Sequence, residues 1–179
     1  MRAEDILYFW FVENGRNEWW QKSDDFDALV RRRFLKTYDA AARGELSGWR
    51  ETERGRLAEI IVLDQFARNM FRGDARSFAA DTVALILAQE AVSLNVGEHW
   101  HGDLLQFLYM PFMHSESLAV HDVAVTLFSR PALAENLDFE YRHKKIIERF
   151  GRYPHRNDIL DRTSTAAEIE FLKQPGSGF

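Results

Sequence analysis

The 179-residue chain contains no cysteine, which excludes disulfides, thiolate metal ligands and cysteine nucleophiles together. It has no basic excess either: 23 Lys and Arg stand against 28 Asp and Glu, for a net charge of −5 and a pI near 5.7. General nucleic-acid binding, which needs a basic face, is therefore not expected. No export signal is visible. The apolar run 6–12 follows Glu4 and Asp5 rather than a basic start, and no small-residue cleavage site comes after it. That run is also too short to span a membrane, so a soluble cytoplasmic protein is expected, without membrane association. The phosphate-binding glycine loop, the dinucleotide fingerprint, Gly-x-Ser-x-Gly and His-Glu-x-x-His are all missing. None of the six histidines has a close metal-ligand spacing. No cofactor and no metal is thus indicated by a linear motif.

Aromatic residues are abundant, at 13% with 14 Phe and 5 Trp. The length suits one domain, which can bury roughly 70% of its unfolded surface. Charge is unevenly spread. Residues 1–30 hold seven acids against three bases, whereas 142–156 hold six bases against one acid, Glu148. Two readings follow: the ends attract each other, or the basic stretch forms an anion-binding patch.

Helical periodicity dominates, and no segment alternates with period two between turns. The spacing predicts a first helix that begins near Ala3 and ends before Asn14-Gly15, and a second capped by Ser23 and stopped at Gly44. A third, capped by Thr52, is apolar nearly all round from Leu57 to Leu63, the mark of a central helix. A fourth spans about Ser77 to Leu94, and a fifth runs from Asp103 to Met110, ending at Pro111. A sixth starts at Ser115 or Ser117 and reaches Phe128; a seventh covers about Ala132 to Phe150 and stops at Gly151. Thr165 and Glu168 form a capping box for a short last helix, followed by a turn-like tail from Gln174 to Phe179. The prediction is an all-α chain of about eight or nine helices.

Unusual polar residues gather in three places. The inward stripe of the third helix arrives at Asp64 and Arg68, with Asn69 beside them. A buried carboxylate needs a partner, so Asp64 either pairs with Arg68 one turn on or faces a cavity. His114 and Glu116 lie where a buried helix ends and another begins. They serve either as caps and dipole partners or as an acid–base pair. The densest cluster comprises His143, Arg149, Arg152, His155, Arg156 and Asn157 around Gly151 and Pro154. Its arginine forks suit carboxylate or phosphate, or clamp helix ends, and Asn157 is positioned to cap the segment after it. A composite divalent-metal site from Asp64, His114, Glu116 and His143 is chemically reasonable if those side chains converge.

These clusters carry a resemblance. Leu7-Tyr8-Phe9-Trp10-Phe11, Trp19-Trp20, Gly55-Arg56-Leu57-Ala58 and the run 63–69 lead it. Phe78-Ala79-Ala80-Asp81, the run 107–116, the run 149–157 and the final 175–179 complete it. Together they are similar, from residue 6 to the end, to the bacterial domain-of-unknown-function family 924. The resemblance implies a tetratricopeptide-like stack of antiparallel helices, an alpha-alpha superhelix, and assigns no reaction or cofactor. One departure matters: Ala67 stands where this family often has proline, so the third helix is free to run on toward Phe71.

Two functions fit. One is a binding protein that takes an anionic small molecule or peptide through Arg68, Asn69, His143, Arg149, Arg152, His155, Arg156 and Asn157. The other is a small-molecule hydrolase with His114, Glu116 and Asp64 as catalytic candidates and arginines orienting an anionic substrate. A third possibility is an oligomer interface with Trp19 and Trp20 as anchors.

Overall fold

The computed structural model describes residues 1–178; Phe179, the last residue of the predicted tail, lies outside the described residues. Among those residues every regular element is helical. Helix α1 (Ala3–Tyr8) widens into a π turn (Phe9–Glu13) and is followed by α2 (Arg16–Trp20) and α3 (Asp24–Ala42). Helix α4 (Glu53–Ile61) passes through a second π turn (Val62–Phe66) and resumes as α5 (Ala67–Met70). Then come α6 (Asp81–Ser93), α7 (Asp103–Met113), α8 (Leu118–Phe128), α9 (Ala134–Phe150) and α10 (Ala166–Leu172). None of these helices is long and apolar enough to cross a membrane.

The helix starts follow from side-chain chemistry. Ser23 accepts from the Phe26 amide, Thr52 from the Gly55 amide, and Thr165 and Glu168 exchange capping bonds, each satisfying a donor that the first turn leaves open. Helix α9 stops at Gly151, which takes φ 69°, a conformation glycine adopts without a Cβ clash.

Helices α4 and α7 form the centre. Leu57, Ile60, Ile61 and Leu63 are fully buried, as is every residue from Leu105 to Met113 within the low exposure of a core. Helix α4 packs on α1, α6 and α7, while α3 covers the second π turn and α5. Helices α7, α8 and α9 each pack on the next across short connections, as successive helical hairpins do. Aromatic rings bind the two halves: Phe66 lies 4.8 Å from Phe34 and 5.5 Å from Trp10, and Phe107 lies 5.4 Å from Trp10. Such contacts add to the area that the rings bury.

Three expectations are corrected. Helix α7 does not end at Pro111 but continues to Met113. The proline costs one backbone bond near the helix end, and dense burial on every side holds the last turn in place. The acidic 1–30 segment does not pair with the basic 142–156 segment among the described residues. Glu4, Glu13 and Asp27 bind Arg54, Arg33 and Arg72, while Arg142, Lys144 and Arg152 bind Asp138, Asp122 and Glu168. Asn157 is not a helix cap; it is buried and bridges Ser164 and Arg162. With Ala67 in place of a ring, the third predicted helix does run on, to Met70.

Gly55 explains itself by space. A Cβ there would fall 1.9 Å from the Trp49 carbonyl oxygen. Alanine ordinarily favours a helix over glycine, but Gly55→Ala is expected to destabilise the fold by about 1–3 kcal/mol through forced backbone displacement. Urea unfolding checks the sign; a stabilised variant would contradict the close approach.

Candidate functional site

A cavity of about 640 Å³ opens between α2, the α4–α5 rod, α7, α9 and the turn after α9. Its floor carries Gln65, Arg68, Asn69, Met110 and His114, and its sides Phe78, Phe139, His143, Tyr153, His155 and Arg156. Trp19, Trp20, Lys22 and Arg16 from α2 and its flanks stand on the remaining wall.

The π turn carries Asp64 and Gln65 into this region. A π turn adds a residue to one helical turn, and such insertions recur at functional sites. Asp64 is 1% exposed and bonds His114 Nδ1 through Oδ1 at 2.7 Å. Gln65 Nε2 donates to its other oxygen, and Arg68 Nη1 lies 3.1 Å from Oδ1. Arg68 also grips Asp81 with both terminal nitrogens at 3.0 Å. Arg156 reaches the same carboxylate at 3.1 Å and donates to the His114 carbonyl at 3.0 Å. Its guanidinium lies 4.5 Å from the Phe78 ring centroid and 4.6 Å from that of Tyr153. Asp81 thus holds two cations in place, and Asp64 fixes the histidine ring.

Burial alone would push the Asp64 carboxyl up, but Arg68 and His114 outweigh it and hold it well below the usual carboxylate range. Burial, reinforced by Arg68, lowers His114 against the pull of Asp64, so the ring is neutral near pH 7. With Nδ1–H on Asp64, Nε2 is a lone-pair acceptor. It has no hydrogen-bond partner among the described residues and is not sealed from solvent, so it is available to the cavity that His114 lines. Burial also brings His143 down to about 3, and burial with Arg156 brings His155 down to about 4. Three neutral imidazoles therefore border one space.

Behind the wall, His121 Nδ1 and Glu140 Oε1 lie 2.6 Å apart with neither residue exposed. The ring's Nε2 reaches the Ser115 carbonyl at 2.9 Å, and Tyr153 donates its hydroxyl to the Met113 carbonyl at 2.6 Å. This network fixes the turn that presents His114.

Of the residues singled out in the sequence, Arg68, Asn69, His114, His143, His155 and Arg156 line the cavity, with Asp64 directly beneath. Glu116, Arg149, Arg152 and Asn157 do not line it. Glu116 accepts two bonds from Arg162, at 2.7 and 3.0 Å, and one from the Tyr153 amide. Arg149 lies over Phe150 and Phe171. Arg152 is bound to Glu168. The four groups considered for a metal do not assemble: Asp64 meets His114, but Glu116 is committed to Arg162 and His143 donates through Nδ1 to the Phe139 carbonyl. Among the described residues no group of three or more His, Asp or Glu side chains is arranged to hold an ion. Gln65, Asp81 and Tyr153 lie in runs noted in the sequence but were assigned no site role there, and Arg162 was missed altogether.

A family model described as a bacterial protein of unknown function (DUF924) matches residues 6–176. Among solved structures, the chain is similar to the protein of unknown function ATU0120 from Agrobacterium tumefaciens. The two are 40% identical, the match covers 96% of each chain, and the TM-score is 0.90. No curated protein matches.

The Arg152–Glu168 clamp has a pH signature. Two bonds from Arg152, at 2.6 and 2.8 Å, with capping bonds at Thr165, draw the Glu168 carboxyl down to about 2. An unfolded glutamate titrates near 4.3. A depressed folded value contributes stability above the unfolded value and loses it as pH falls through the folded one. The urea midpoint is expected to drop between about pH 5 and pH 2. Glu168→Gln should lower the midpoint at neutral pH and flatten that acid slope; an unchanged slope would place the acid sensitivity elsewhere.

Proposed function

The chain belongs to the bacterial protein family of unknown function DUF924, and we propose that it binds a small anionic molecule with an apolar or aromatic body in this cavity. The observation that carries the proposal is which groups face the space. Among the described residues, five cationic side chains line it, Arg16, Lys22, Arg68, Arg72 and Arg156, against one carboxylate side chain, Glu135. The carboxylates that neutralise the inner arginines, Asp64, Asp81 and Asp27, stand behind them rather than on the lining. A ligand thus meets guanidinium edges first, held in fixed orientation by the acids at their backs.

The rest of the lining supports an apolar body. Trp19, Trp20, Phe78 and Phe139 supply ring faces, while Gln65, Asn69 and Gln106 offer neutral hydrogen bonds. The volume is that of an ordinary small-molecule site, which favours a small molecule over a peptide. Neutral imidazoles add no charge of their own at physiological pH.

Thermal-shift measurements with benzoate, phenyl phosphate and the neutral isostere benzamide test this reading. The two anions are expected to raise the melting temperature, because a ligand of the native state stabilises it, and benzamide is expected to do so far less. The shift should shrink at high salt, and Lys22→Gln with Arg16→Gln should weaken binding several-fold. Equal responses to benzoate and benzamide, insensitive to salt, would remove the anionic requirement.

A further inference from the structure

We infer that this cavity is an active site in which His114 is the general base that activates water to hydrolyse an ester bond in the bound anion. The inference rests on the anion-binding reading for its substrate class, but its geometry is separate. A general base needs a fixed tautomer, a lone pair facing the substrate and a group to stabilise the proton it gains. Asp64 supplies the first and third: its 2.7 Å contact holds Nδ1–H, and its own position is fixed by Gln65 and Arg68. The cavity receives Nε2. The backbone that carries the ring is held as well, since Arg156 donates to the carbonyl of the same residue at 3.0 Å.

The other candidate nucleophiles are few. The chain has no cysteine, and the Ser77 hydroxyl on the lining is given to the Asp74 carbonyl at 2.6 Å. Water is therefore the nucleophile. Nε2 takes one proton as the water oxygen bonds to the carbonyl carbon, and the imidazolium is paired with Asp64. The carbon–oxygen bond to the leaving group then breaks, and Nε2 returns the proton to the departing alkoxide. One water is consumed, and an acid and an alcohol are formed. Arg68, on the same floor, offers positive charge to the oxyanion. Asp64 is a positioning residue in this scheme, not one that touches substrate.

The charged and titratable groups around the ring are Asp64 and Arg68 on the α4–α5 rod, Asp81 on α6, His143 on α9, and His155 with Arg156 beyond it. Burial and Arg68 keep His114 in its base form through the neutral range.

The test uses the whole chain with p-nitrophenyl hemisuccinate, an anionic ester, and p-nitrophenyl butyrate, a neutral one. Turnover of the hemisuccinate is expected, with kcat lowered about 100-fold or more in His114→Gln, KM little changed and the benzoate-induced thermal shift retained. Asp64→Asn should lower kcat and displace the pH–rate profile, which a merely structural role would not do. If His114→Gln does not fold, carbethoxylation of the wild-type ring must abolish turnover to the same extent, and benzoate must slow that modification. Full activity in His114→Gln, or no turnover of either ester by protein that still shows the benzoate shift, overturns the catalytic inference and leaves the binding reading standing. His114-dependent turnover of butyrate without any benzoate shift would do the reverse.

Discussion

On the cavity lining, Arg68 and Arg156 share the Asp81 carboxylate behind them while Arg68 also closes on Asp64. Asp64 and Arg156 are almost wholly withdrawn from water there and Arg68 and Asp81 largely so, which is tolerable only because each faces an opposite charge at hydrogen-bond distance. The arrangement joins segments far apart in the chain: the π turn after α4, the start of α6, the turn at His114 and the turn after α9. Removing one member leaves the others uncompensated, so these elements hold their positions together.

The same network sets the chemistry that the cavity offers. Carboxylates placed behind the arginines satisfy part of each guanidinium and fix its orientation. Asp64 does for His114 what Asp81 does for the arginines, fixing direction as well as charge. Two further clamps keep this frame from drifting. Glu116 and Arg162 lock the 114–117 turn to the segment after α9, and His121 with Tyr153 ties the same turn to α8. Residues that look functional in a list of polar side chains thus divide between those facing the space and those holding the wall.

The helical character, most helix starts and the two central helices were legible in the sequence, because caps and apolar periodicity are local signals. Ser23, Thr52 and Thr165 act on amides three residues away, and the nearly all-round apolarity of 57–63 and 104–110 has one physical meaning. The π turns were not legible, since an inserted residue leaves no mark on composition. The end of α7 was misplaced because proline's local cost is outweighed by burial that only packing supplies.

For the candidate site, the Asp64–Arg68 pairing was foreseeable from one-turn spacing and the need to neutralise a buried acid. Glu116 and Arg152 drew notice for the same reason as His114 and Arg156: charged groups at helix ends. Local sequence cannot separate them, because each is assigned by a partner 16 to 75 residues away, Arg162 at 46 from Glu116 and Asp81 at 75 from Arg156. The sequence by itself determined an all-helical chain with a buried centre, no thiol chemistry and three polar clusters. Tertiary structure alone decided which clusters share a cavity, because charge pairing across the fold, not spacing along it, chooses where each side chain points.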